Sequence, residues 1–284
     1  MFFSNISFHP TVSVEFICQA ETNDDERFND VLSHAASLSS ASVSHPGANF
    51  RTLEITPGLN AISGYSSQFR TYSTVVSDRD IDSDLTTPNL TVDLLTAVCQ
   101  PDQLVRYFCA SMPLTNLVRL RLYPTSILPL SWKTLAETLG VLPHLCSVSV
   151  SGGLAHSFVL ALQEIQPNRL STTVGPVPVY FPSLRSISLE NVTFDSHYED
   201  LNIGLLQDCL IWRYDCGAEI RQVNLMECSR LDCDAVDLLR EIIIDVEWDD
   251  LEVGFTESEE EFFDDYYNGG YYSDDDIDTL HFLW

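Results

Sequence analysis

Basic residues are scarce in this chain of 284 residues, which has 14 lysines and arginines against 42 aspartates and glutamates. Residues 241–284 contain 16 of those acids and no lysine or arginine. Binding to the phosphates of nucleic acids or to an anionic membrane surface depends on clustered positive charge. The net charge of −28 therefore argues against nucleic acid and membrane surfaces as partners.

Long apolar runs are also missing. No stretch reaches the roughly 20 residues that a membrane-spanning helix needs. The N-terminus has no basic segment followed by an apolar core, which would mark a signal peptide. We therefore expect an intracellular protein, cytoplasmic or nuclear, whose eight cysteines are reduced and structural.

The usual signatures of enzymatic chemistry are absent too. Cys228 and Cys233 are five residues apart, whereas structural zinc sites use closer pairs. No Gly-x-Ser-x-Gly motif occurs, and the nearest glycine-containing piece is SGGLAHS at 151–157. No glycine-rich phosphate-binding fingerprint is present. We expect no catalytic residues, no metal and no cofactor, and a hydrolase with a noncanonical site is the least favoured alternative.

What the chain does contain is a recurring apolar frame. Residues 220–239 read IRQVNLMECSRLDCDAVDLL, in which apolar positions are spaced by three and then by two. This spacing predicts a short strand that buries Val223 and Leu225 on one face, followed by a turn at Cys228.

The same frame begins four earlier segments. These are FRTLEI at 50, LVRLRL at 117, LCSVSV at 145 and LRSISL at 184. From 117 onward, successive frames lie 28 to 39 residues apart. The longer first step leaves room for a weaker strand, LTVDLL at 90–95, and a strand TVSVEFIC at 11–18 is expected to begin the array.

Helical patterns alternate with these strands. They are expected at 24–38, 101–112, 131–142, 156–166 and 201–214, and after the last frame from Asp232 or Asp234. Ser131 is the predicted N-cap of its helix. A strand followed by a helix at this period is typical of a solenoid of stacked units. We predict an α/β solenoid of about six or seven units, with parallel strands on its concave face and helices on its convex face.

The frame resembles the leucine-rich repeat. Cys228 stands where that consensus has Asn or Cys, and residues 181–245 are similar in detail to fungal F-box/leucine-rich-repeat proteins. As architecture, the resemblance covers about residues 10–245. It implies a horseshoe-shaped domain that binds a protein, and it implies a substrate-recognition arm of an SCF-type ubiquitin ligase as the alternative.

An F-box, the module by which such arms dock, is not visible here. The chain starts MFFSNISFHPTVSVEF and is expected to be in a strand by about residue 12. No other segment is free to form the module. Cullin-ligase subunits are therefore expected as partners only through the family resemblance, either because the F-box was lost or because it is missing from the gene product.

We expect the polar residues between the frame positions to line the concave face and to bind a protein partner. They are Arg119, Arg121, Tyr123, Ser147, Ser149, Ser186, Ser188, Glu190, Gln222 and Asn224. Thr52, Glu54, Ser151 and Met226 belong to the same set. Arg119 and Arg121 are predicted to be exposed, and because arginine binds carboxylates in a bidentate manner they favour an acidic partner.

The chain is expected to divide after residue 245. Residues 1–245 would form the repeat domain, and residues 246–284 an acidic, aromatic-rich tail. Charge repulsion favours disorder in this tail, although attraction to Arg119 and Arg121 would instead make it a lid on the concave face.

Overall fold

A computed structural model describes the chain over eight ranges. They are residues 14–20, 50–60, 64–72, 90–96, 100–123, 130–166, 178–194 and 201–250. The predicted helix at 24–38 and the acidic tail beyond residue 250 lie outside the described residues.

The described residues include nine strands of one open sheet. They are β1 (Val14–Ala20), β2 (Thr52–Asn60), β3 (Gly64–Tyr72), β4 (Leu90–Thr96), β5 (Arg119–Leu122), β6 (Ser147–Ser151), β7 (Ser186–Glu190), β8 (Gln222–Met226) and β9 (Asp245–Trp248). Their order across the sheet is β1-β4-β3-β2-β5-β6-β7-β8-β9. From β2 through β5 to β9 every neighbouring pair is parallel, as is the pair β1 and β4.

Strand β3 departs from the prediction of parallel strands throughout. It runs antiparallel to both β2 and β4. The long interval between the frames at 50 and 117 is therefore not made of strand-helix units alone. Asn60 pairs with Gly64, and only three residues separate the two strands. A connection this short can join only antiparallel strands, because a parallel crossover needs a dozen residues or more.

Helices follow five of the strands at the predicted places. They are α1 (Pro101–Ser111), α2 (Trp132–Thr134, continued by a π-helical turn over Leu135–Leu139), α3 (Leu154–Gln163), α4 (Ile203–Asp215) and α5 (Cys233–Ile242). Ser131 Oγ accepts a hydrogen bond from the N–H of Thr134 at 3.2 Å, as its predicted capping role requires. Asp232, rather than Asp234, caps α5, because its side chain accepts from the N–H of Ala235 at 2.8 Å.

The apolar frame positions align across the sheet in two rows. One row is Leu53, Leu120, Val148, Ile187 and Val223, and the next is Ile55, Leu122, Val150, Leu189 and Leu225. All of them are buried, and apolar side chains of the five helices complete the same core. Cys228 is also buried, and its thiol lies 3.5 Å from the carbonyl oxygen of Leu189 on β7.

An unusual backbone turn repeats after β6, β7, β8 and β9. Gly152, Asn191, Glu227 and Asp250 have φ of 58°, 51°, 52° and 57°, and they stand at equivalent positions of the aligned strands. The left-handed region favours glycine and is uncommon for other residues. Its recurrence at equivalent positions indicates that the chain leaves these four strands through the same kind of turn.

A buried arginine forms hydrogen bonds with the segment that precedes β7. Arg213 on α4 donates to the carbonyl oxygens of Leu162, Tyr180 and Phe181, at 3.2, 3.0 and 2.7 Å respectively. Burial lowers the pKa of its guanidinium to about 10, so the group remains charged at neutral pH.

Strand β9 was not predicted. It adds a parallel edge strand beside β8, with Val223 paired to Val246 and Leu225 paired to Trp248. The predicted boundary between residues 245 and 246 falls inside this strand, and the sheet continues to Trp248. None of the helices in the described ranges is long and apolar enough to cross a membrane.

Candidate functional site: the polar face of the sheet

The register of the strands places the predicted binding residues on one face, which we call the polar face. Its first row is Thr52, Arg119, Ser147, Ser186, Gln222 and Asp245. Its central row is Glu54, Arg121, Ser149, Ser188, Asn224 and Glu247. Its third row is Ser151, Glu190 and Met226. Side chains alternate along a strand, so these rows point away from the apolar rows.

The solvent exposure of these residues differs from the prediction. Arg121 has no exposed surface, and Ser149 and Ser188 are exposed by only 3% and 6%. The predicted exposure of Arg121 is therefore wrong. Arg121 lies in the central row, where Glu54 and Ser149 on neighbouring strands flank it. The first-row residue Arg119 is half-buried.

Arg121 lies near Tyr123, the residue that follows β5. Burial raises the pKa of Tyr123 and the nearby carboxylate of Glu190 raises it further, while the guanidinium of Arg121 lowers the pKa of that phenol. The phenol therefore stays protonated at neutral pH. Arg121 is buried and Tyr123 is half-buried, so both side chains belong to the packed part of the polar face.

A second group of polar side chains joins β2 to β3. Arg70 Nη1 lies 2.9 Å from Glu54 Oε1, and the Tyr72 hydroxyl lies 3.5 Å from Glu54 Oε2. Burial and then the Glu54 carboxylate raise the pKa of Tyr72 to about 12. The sequence analysis missed Arg70 and Tyr72, because it did not predict β3. The aromatic and β-branched residues in QFRTY at 68–72, which favour a strand, are a signal that could have found them.

Glu190 has a different environment. Its Oε1 accepts hydrogen bonds from the hydroxyls of Ser149 at 2.7 Å and Ser188 at 3.4 Å. The side chain is half-buried, and within the described part of the chain it forms no ion pair. Two serines thus orient a carboxylate whose charge no described cation neutralises.

The end of the polar face near β9 is the more exposed part. Met226 is 43% exposed, and Asp245 and Glu247 are exposed. A shallow groove of about 410 Å³ lies at this edge, lined by Met226, by Arg240 on α5 and by the β9 residues Val246, Glu247 and Trp248. This end offers both negative charge and apolar surface to solvent.

Two of the cysteines that the structure describes, Cys209 and Cys228, are buried, and Cys233 is exposed. Burial raises the pKa of Cys209 to about 12 and that of Cys228 to about 11. Both stay protonated at neutral pH, whereas a nucleophile or a metal ligand has to be a thiolate. In the ranges that the structure describes, no group of three or more His, Cys, Asp or Glu residues is placed to hold a metal ion.

Comparison with known proteins adds no relative: no family model, no curated protein and no solved structure matches this chain.

Proposed function

We propose that this chain is a leucine-rich-repeat solenoid that recognises a protein partner through its polar face, without catalysis. The repeat assignment is supported by the in-register frame, by the recurrent left-handed turn and by Cys228 at the position where the repeat consensus has Asn or Cys. In such a solenoid the strands line the concave side, and the polar face would be that side.

The observation that carries the functional proposal is the continuity of the polar face. In-register polar residues run from β2 to β9, while the core and the helices occupy the other side. The first row stays half-buried along β5 to β8, at Arg119, Ser147, Ser186 and Gln222. Small serines and amides within this row let a partner approach closely and hydrogen-bond.

The test uses a variant in which the first row is blocked by two bulky cations, Ser147→Arg with Gln222→Arg. Its control is Gln163→Arg with Gln207→Arg on α3 and α4, which adds the same charge at half-buried helical positions. Proteins captured from native extract by wild type and by both variants are quantified by mass spectrometry.

The proposal expects one set of captured proteins to be lost by the face variant and retained by the control. It is refuted if the face variant retains every protein that the wild type captures. Cullin-ligase subunits captured by wild type and control would support the alternative role as a ubiquitin-ligase arm.

A further inference from the structure

Along β7, β8 and β9 the charge that the polar face offers to a partner is negative. Its rows hold Glu190, Asp245 and Glu247 on these strands and no lysine or arginine, whereas Arg119 and Arg121 lie on β5. Arg70 pairs with Glu54. The arginines of the later units are engaged elsewhere: Arg185 donates to the carbonyl oxygens of Leu184 and Glu219, Arg221 pairs with Glu219, and Arg240 pairs with Asp237. None of these cations neutralises Glu190.

Glu190 is suited to hold a cationic group. Its carboxylate is oriented by Ser149 and Ser188, so little side-chain entropy remains to be lost on binding. Half-burial reduces the screening by water, which strengthens the attraction to an incoming cation. Charge-assisted hydrogen bonds of this kind are about twice as strong as neutral ones.

The residues beside Glu190 complete the surface. Met226 is its register partner on β8, and the exposed side chain can pack against the aliphatic stem of a lysine or arginine. Glu247 on β9 extends the negative charge. Asn224 lies between Ser188 and Glu247, and its buried Oδ1 has no donor in the described part of the chain. Rotation of this amide would present the acceptor to an N–H group of a ligand.

The same charge excludes a second copy as the occupant, because that copy would bring another chain of net charge −28 and would be repelled. We infer that the β7–β9 end of the polar face binds a basic polypeptide segment, with Glu190 as its ionic anchor and Met226 as its apolar contact. This inference rests on the proposed function, and it replaces the acidic partner that the arginines suggested.

The experiment selects peptides from a random phage-displayed library on the full chain at physiological salt. Enriched peptides are synthesised, and their affinities are measured by fluorescence anisotropy for the wild type, Glu190→Gln, Met226→Ser and the matched control Glu241→Gln. Glu241 is exposed on α5, so its substitution removes the same charge outside the polar face.

The inference expects enriched peptides that contain lysine or arginine. Their affinity should fall about tenfold in Glu190→Gln and by less than about twofold in Glu241→Gln. Met226→Ser should weaken the same peptides, and because Met226 is exposed this variant tests the site even if Glu190→Gln is poorly folded.

Three results would overturn the inference. If Glu190→Gln and Glu241→Gln lower the affinity of the peptides equally, the peptides are attracted to the overall negative charge of the chain and not to Glu190. The enriched peptides could also be non-basic and bind the wild type but not the variant with Ser147→Arg and Gln222→Arg. That result would support the proposed function and refute only the inference of a basic partner. If no enriched peptide depends on any polar-face residue, the proposed function fails as well.

Discussion

Replacing Arg213 by methionine tests the most deeply buried charge in the described helices. The side chain is not exposed at all, and its two terminal nitrogens donate to three carbonyl oxygens. One of these belongs to Leu162 at the end of α3, and the other two belong to Tyr180 and Phe181 before β7. Methionine preserves the length and the apolar packing of the stem but supplies no donor.

The expected loss follows from two opposing terms. Each hydrogen bond from a charged donor contributes about 1.5 to 3 kcal/mol, so three together contribute on the order of 5 to 9 kcal/mol. Burying the guanidinium costs several kcal/mol, and that cost disappears in the variant. We therefore expect Arg213→Met to lower the free energy of unfolding by about 3 kcal/mol, mainly because the three carbonyls lose their donors.

Urea denaturation followed by circular dichroism measures this loss. The matched control is Arg221→Met, because Arg221 is 63% exposed and its 3.3 Å contact with Glu219 is screened by solvent. The control should change the free energy of unfolding by no more than about 0.5 kcal/mol. If Arg213→Met is as mild as the control, the carbonyl contacts do not hold the segment before β7, and the reasoning is refuted.

Three further predictions concern the core and the sheet. Leu225→Asp should cost about 4 kcal/mol by burying an unpaired charge, whereas Leu238→Asp at a half-exposed helical position should cost far less in the same melts. Gly140→Ala should cost about 1 to 3 kcal/mol, because the new Cβ would lie 2.9 Å from Cβ of Tyr180; an unchanged melting temperature contradicts this. The raised pKa of Tyr72 stabilises the fold below pH 10, and this contribution is lost as pH rises from 10 to about 12. Tyr72→Phe should therefore lose less stability across that range, and equal losses in alkaline denaturation would count against it.

Much of the α/β architecture was predictable because it depends on local periodicity. Alternation in LVRLRL, LCSVSV and LRSISL specified which side chains share a face, and parallel pairing then aligned them across β5, β6 and β7. Capping chemistry predicted the start of α2 at Ser131 and restricted the start of α5 to Asp232 or Asp234, between which the structure decided. The Asn202 cap of α4 and the start of α3 at Leu154 also needed the structure.

Pairing between distant segments was not predictable in the same way. Strand β3 contains aromatic and β-branched residues, but its neighbours and its antiparallel direction depend on its pairing with the edges of β2 and β4. The contact between Arg70 and Glu54 exists only because of that pairing. Strand β9 was missed because DVEW is short and strongly acidic.

The sequence by itself determined the periodic elements, the face on which each polar residue lies and the acidic character of the chain, because these depend on residue type and on spacing along the chain. Only the tertiary structure decided how deep those residues lie and which charges meet. Arg121 is buried beside Tyr123, whereas Glu190 is held by Ser149 and Ser188 with no described cation beside it. Burial and charge pairing depend on contacts between segments far apart in the chain, which residue type and spacing do not specify.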